Sequence, residues 1–367
     1  MTRETDPRLQ KLYDSGEEIY SISRIDSINN CLYGAYLTYK LHKRGSNNVY
    51  AIMGGKIHDV LEKITNGEAT EKDLLPAMQA ELDDMDALDI TFPKDSKGGD
   101  AIREGWIKDM EHFCTTYKAP RKKNLSTEEL FIYTTSTGKH LIGYIDLQHN
   151  KKRTTDIYDY KTSTLYKGED LKSHGRQLVV YQMGKEQENQ KVGKVAWIFL
   201  KYVDITFMGY KTAKSKEKAL LTKTIERKKI GTEMEKYVER DLLDAGYDEV
   251  DTEIFLNEFK QTNKFDCLPK EIKKQYKIKP CVLDYEVTDE VKKECEDYIN
   301  QTIEMWESLG DDVKNYPPRS FTKIQKNGKE VNDIFFCTSL CQHYKECPFI
   351  RDFLDTLDTT NDDEDLF

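Results

Sequence analysis

Between Glu129 and Ser163 the chain runs through three short apolar segments, ELFIYTTS, HLIGYIDLQ and TTDIYDYKTS, parted only by the turn signals TG and NKK. Connections that short leave no room for a crossover helix, so an antiparallel meander is expected. Helical spacing surrounds it. SISRIDSINNCLYGAYLTYK carries Ile25, Ile28, Leu32, Ala35, Tyr36 and Tyr39 on one stripe, with Ser23 placed to cap and Cys31 on or beside the stripe. Further helices are expected near 52–64, 71–88, 100–117 and 171–188, with long charged ones over 216–245 and 288–309. Two strands, starting at Lys194 and Ile205, fall between them. The expected class is a mixed α/β core with helical additions.

With 367 residues, 38% hydrophobic and 33% charged, the chain can bury a sizeable core. A mean hydropathy of -0.74 and the lack of any run near ~20 apolar residues argue against a membrane span. The start MTRETDPRLQ has no apolar signal region, so a cytoplasmic protein without a membrane partner is expected. In that compartment eight cysteines suggest metal ligands or small buried hydrophobes rather than disulfides.

The net charge of -10 is concentrated at the end, where Asp358, Asp362, Asp363, Glu364 and Asp365 stand in the last ten positions without a base. The body is nearly balanced. Within it, 211–229 holds eight basic residues against two acidic and 270–279 five against one, local charges of +6 and +4. Such runs are solvated helix faces or phosphate contacts.

The chemistry lies in the meander. Residues two apart on a strand share a face, so DIYDYKTS presents Asp159 and Lys161 together. On the neighbouring segment Asp146 is the only charge in an apolar run, and burying it without a partner is costly. Pairing through the short turn brings Asp146 near Asp159, and two adjacent carboxylates make a hard-oxygen site for Mg²⁺ or Mn²⁺. Acid-x-Lys also occurs at Asp95 with Lys97, Glu271 with Lys273 and Glu290 with Lys292, but none of these follows an apolar strand bearing an isolated Asp. An ordinary ion pair between Asp159 and Lys161 remains the structural alternative.

The Asp146, Asp159, Lys161 arrangement resembles the PD-(D/E)XK nuclease superfamily, in particular its RecB-like branch. GGKIHDVLE, from Gly54 to Glu62, is similar to that branch's helical His motif, which implies His58 as a metal ligand. GRQLVVYQ resembles its Gln-x-x-x-Tyr motif, with Gln177 and Tyr181 four apart on one helical face. Both residues, like His58 beside Ile57 and Leu61, have an alternative as simple core packing. The Ser-x-Ser opening with Cys31, and Cys337, Cys341 and Cys347 in CTSLCQHYKEC, resemble the iron-sulfur subset that includes AddB-type and CRISPR-associated nucleases. Four thiolates suit Zn²⁺ or an iron-sulfur cluster, and the resemblance favours four-iron four-sulfur. Cys114, Cys267, Cys281 and Cys295 are expected as buried hydrophobes.

The resemblance implies a restriction-endonuclease-like mixed sheet flanked by helices, with helical N- and C-terminal additions joined by a metal cluster. The expected divisions are an N-terminal helical segment (1–50), the nuclease core (51–210), a largely helical basic insertion (211–335), the cysteine segment (336–354) and a disordered acidic tail (355–367). It also implies phosphodiester hydrolysis of DNA. Asp146, Asp159, His58 and the Tyr160 carbonyl would hold Mg²⁺ or Mn²⁺, Lys161 would offset charge on the phosphoryl group or activate water, and Gln177 and Tyr181 would position Lys161 or the strand. The chain has no G-x-x-x-x-G-K-[ST] and hence no P-loop motor of its own. An exonuclease acting on single strands or DNA ends is the first expectation, in recombination, repair, CRISPR adaptation or phage DNA processing. A structure-selective endonuclease and a non-catalytic DNA-binding subunit are the alternatives. The acidic end closing in Leu366 and Phe367 resembles the tips of single-stranded-DNA-binding proteins, which implies recruitment of a replication or recombination partner or competition with DNA.

Overall fold

Polar side chains that take up free backbone groups set the helix boundaries. In the computed structural model, which describes residues 6–121, 123–210 and 217–362, α1 (Pro7–Ser15) and strand β1 (Ile19–Tyr20) lead into α2 (Ile22–Asn30). Ser21 rather than Ser23 caps α2, its hydroxyl accepting from Arg24 N at 3.2 Å. The single helix expected here breaks at Cys31, whose extended backbone (φ -162°) ends α2 and opens the short α3 (Leu32–Ala35). The apolar stripe runs on through the break because Leu32 and Ala35 return to the same core as Ile25 and Ile28. Helices α4 (Val49–Thr65), capped by Asn48, α5 (Leu74–Ala87) and α6 (Ala101–Thr116) then build one layer around Met53, Ile57, Leu61, Met78 and Met110.

The meander follows as β2 (Leu125–Ser126), β3 (Glu129–Thr134), β4 (His140–Ile145), β5 (Leu147–Asn150) and β6 (Thr155–Lys161). Its middle segment is kinked at Asp146. On one side β4 pairs with β3 and β1, and on the other β5 pairs with β6 and β2. Helix α7 (Glu169–Gln187) crosses over, and β7 (Val192–Tyr210) returns parallel to β6. Strand β6 is buried on both faces as far as Tyr160, as a central parallel strand between helical layers must be.

Two expectations fail beyond this point. Strand β7 is one strand of 19 residues where the sequence predicts two, and Asp204, which lies between the two expected segments, accepts from Thr224 Oγ1 at 2.6 Å. β8 (Lys218–Glu226) stands where a long charged helix is predicted. Its exposure alternates, and Thr222, Thr224 and Ile225 are β-branched, so period two and strand propensity outweigh the charge density. Helix begins only at α8 (Ile230–Asp244), followed by α9 (Glu249–Thr262), α10 (Lys270–Lys273), β9 (Lys277–Tyr285), α11 (Asp289–Ser308), the hairpin β10 (Thr322–Ile324) and β11 (Glu330–Asn332), and α12 (Pro348–Asp362). The segment 211–335, expected to be largely helical, therefore also adds β8 and β9 to the sheet, both paired with β7. The order is β2-β5-β6-β7-β8, with β9 on β7 beyond that path. A register shift against β9 between Phe199 and Val203 bends the long strand.

The fold is α/β, a mixed sheet flanked by helices. Trp197, Phe199 and Trp306 fill the core under α7, α11 and α2, and burying a side chain such as Phe199 stabilises by about 2–3 kcal/mol. Ile205, Phe207, Met234 and Phe259 form a separate core under the far half of β7. Helix α12 reaches Asp362, so it covers much of the tail expected to be disordered from Asp355, while Leu366 and Phe367 lie outside the described residues. Among the described residues no helix is long and apolar enough to cross a membrane.

Candidate active site

The register of β5 on β6, with Leu147 opposite Tyr158, places Asp146 opposite Asp159 at the kink. Asp146 Oδ2 accepts from Tyr160 N at 2.8 Å and lies 3.4 Å from His58 Nδ1 on α4. Burial, and then the charge of Asp159, push the Asp146 carboxyl well above the usual carboxylate range. Asp159 is 1% exposed. Its Oδ2 is paired with the Lys161 ammonium at 2.6 Å.

Burial, the largest single influence, would lower the Lys161 pKa, but Asp159, Tyr166 and Asp146 together outweigh it and hold the ammonium above its ordinary value. A lysine so placed stabilises negative charge and is a poor base. His58 is lowered by burial, which Asp159 and the Tyr160 carbonyl only partly oppose, so the neutral imidazole that can act as a ligand is favoured. Helix α7 supplies the next contacts. Lys161 Nζ donates to Gln177 Oε1 at 2.9 Å, and Gln177 Nε2 donates to Tyr181 Oη at 2.7 Å. Tyr181 is also core, with its ring centroid 5.2 Å from that of Phe131.

One feature is not legible in the motifs. Tyr166 stacks on His174 with centroids 4.0 Å apart, and its charge environment includes Lys161 and Asp159. Neither residue carries a spacing signal, since one lies on the loop after β6 and the other on α7.

The cysteines also converge. Cys337 is buried and pushed up to about 12 by that burial, with Cys31, Cys341 and Cys347 adding to the shift. All eight cysteines are free thiols. The N- and C-terminal segments are tied by Asn48 Nδ2 donating to Leu340 O at 2.9 Å, Gln342 Nε2 donating to Thr38 Oγ1 at 2.8 Å, and Tyr33 packing edge-on to Phe349 at 4.9 Å. Of the other four, Cys114, Cys281 and Cys295 are buried as expected, while Cys267 is half-buried.

Among the described residues no three His, Cys, Asp or Glu side chains are placed so that they could hold a metal ion. The two groups approach without forming a ligand sphere. Their donor chemistry nevertheless fits the expected cofactors: carboxylates and a neutral imidazole suit Mg²⁺ or Mn²⁺, and thiols suit iron-sulfur or zinc. Asp159 Oδ2 already faces one cation, the Lys161 ammonium at 2.6 Å.

The basic runs contribute less free charge than their sequence suggests. Lys218 pairs with Asp244, Lys223 with Glu233, Lys228 with the buried Asp109 and Lys229 with Glu226. Residues 211–216 lie outside the described residues.

No curated protein sequence matches the chain. A protein-family model does, over residues 19–323, a span that takes in β1 through α11 and every element around Asp146, Asp159 and Lys161, and on that match the chain belongs to the PD-(D/E)XK nuclease superfamily.

Proposed function

We propose that the protein is a metal-dependent deoxyribonuclease of the RecB-like type, hydrolysing phosphodiester bonds of single-stranded DNA or of DNA ends in recombination, repair or phage DNA processing. The observation that carries this reading is the continuous contact from Asp159 through Lys161 and Gln177 to Tyr181, beside the register-matched Asp146. His58, Asp146, Asp159 and the Tyr160 carbonyl are the residues for Mg²⁺ or Mn²⁺. Bound there, the ion supplies Lewis acidity to the phosphoryl oxygens and lowers the pKa of a water.

Lys161, kept charged by Asp159, offsets negative charge that develops on the phosphoryl group. Gln177 fixes the ammonium in one direction by accepting a hydrogen bond from it, and Tyr181 in turn fixes the Gln177 amide. Cys31, Cys337, Cys341 and Cys347 are proposed to hold a four-iron four-sulfur cluster that staples the two ends of the chain. Closing a loop of that length is entropically costly without a strong link. The acidic end is proposed to recruit a replication or recombination partner.

The test uses end-labelled linear and closed circular single strands in Mg²⁺ or Mn²⁺. Degradation of linear DNA with intact circles supports an exonuclease. Cut circles turn the reading to an endonuclease, and binding without cleavage of either substrate turns it to a DNA-binding subunit.

A further inference from the structure

Tyr166 lies on the loop after β6, and its ring rests edge-on against Trp197 and Phe199, with centroids 5.2 and 5.1 Å away. Those two residues are the partners on β7 of Asp159 and Lys161. Side chains of paired residues leave a sheet on the same face, so Tyr166 sits beside the two charged groups on the side covered by α7. Ser163 Oγ, donating to the Tyr166 hydroxyl at 3.3 Å, holds the ring from the loop.

Helix α7 brings the second ring. His174 lies three residues before Gln177, on the same helical face and about 4.5 Å back along the axis. Gln177 is the residue that accepts from Lys161 Nζ. The imidazole stacks on Tyr166 with centroids 4.0 Å apart and planes 13° from parallel. His174 nevertheless remains exposed, so with one face on Tyr166 the other is turned to solvent. Partial burial, and then the charge of Lys161, lower its pKa, so near pH 7 the ring carries no charge to hold a phosphate. A flat neutral ring, backed by a second ring wedged into the core, offers its open face to a nucleobase. The rise from Gln177 back to His174 is close to one nucleotide step, about 3.4 Å along a DNA strand.

We propose that Tyr166 and His174 form a stacking platform for the nucleobase next to the phosphodiester at Lys161. His174 is the ring that touches the base, and Tyr166 is its positioning residue. This rests on the single-strand substrate proposed above and extends it, because stacking accepts any base that is unpaired.

The experiment is fluorescence anisotropy in EDTA, at matched folded concentration, with a short dT oligonucleotide and an abasic oligonucleotide of the same length that keeps the phosphates and lacks the bases. His174→Ala is expected to bind the dT strand about tenfold more weakly than wild type and the abasic strand within about twofold of it. His174→Phe, which keeps a flat ring and loses the nitrogens, should stay within about threefold of wild type on dT. An equal loss on both strands would mean a phosphate contact or a structural role and overturns the proposal. Wild-type affinity for dT in His174→Ala, or a His174→Phe as weak as the Ala variant, also overturns it, while cleavage of linear DNA by wild type in Mn²⁺ would leave the nuclease reading standing. The expected binding pattern without any cleavage in Mn²⁺ supports the platform and overturns the hydrolytic reading.

Discussion

Lys161 Nζ donates to Gln177 Oε1 at 2.9 Å, so the end of β6 is fixed to the first half of α7 by a charged hydrogen bond. Because Gln177 Nε2 also donates to Tyr181, the amide cannot rotate without breaking both contacts.

Gln177→Ala should therefore cost orientation more than substrate affinity. A fall of about 10- to 100-fold in kcat, with KM for DNA changed less than about threefold, is expected from steady-state cleavage. A rise in KM with unchanged kcat would place Gln177 in strand binding instead.

Gly175 sets how closely α7 approaches β9. A Cβ built there would lie 2.3 Å from Cζ of Tyr285, a ring that must shift. Gly175→Ala should destabilise by about 1–3 kcal/mol in urea denaturation, and the cost should shrink in a Tyr285→Ala background. Equal costs in both backgrounds would show that the ring is not the obstacle.

His112 is the group whose titration should be visible in stability. Its Nε2 bonds to Asn263 O at 2.8 Å and its Nδ1 faces Arg227 at 3.3 Å, a neutral ring satisfied on both sides. Burial, then the Arg227 charge, lower its pKa to about 4. The unfolded chain takes up a proton near pH 6.5 and the folded one only near 4, so stability is full above 6.5 and is lost as pH falls toward 4. Between pH 7 and 4.5 this residue should account for about 2–3 kcal/mol. Urea denaturation of His112→Gln should show a correspondingly smaller drop, and an equal drop would refute the assignment.

The strand chemistry is legible in the sequence because an isolated Asp146 in an apolar run and the two-residue spacing of Asp159 and Lys161 survive any choice of strand ends. Gln177 and Tyr181 are legible for the same reason on a helix, where four residues make one turn. What stays hidden depends on backbone breaks. Cys31 interrupts a helix whose apolar spacing continues undisturbed, and the division of one stretch into β2 and β3 shows only in the register of Ser126 and Glu129. β8 is hidden by its charges: Lys218 stands on the exposed side of the alternating strand, while Lys223, on the less exposed side, is paired with Glu233.

The cysteine set carries its own test. Cys341→Ala should remove the iron, lower soluble yield and lower Tm by about 5 °C or more, while cleavage per folded molecule falls less. The purified protein should be brown and contain iron. Stoichiometric zinc without iron after anaerobic purification would replace the cluster with a zinc site and leave the nuclease reading intact.

The central claim is that Asp159, Lys161 and Asp146 form a working hydrolytic site, and the most direct measurement is release of label from end-labelled linear single-stranded DNA in Mn²⁺, at matched folded concentration, by wild type, Lys161→Ala and Asp146→Asn. Wild type should release label and require the metal. Lys161→Ala should lose about 100-fold or more, and Asp146→Asn should lose cleavage while binding DNA as tightly as wild type or tighter, since a negative charge facing phosphate is gone. Undiminished cleavage by Lys161→Ala would contradict the claim.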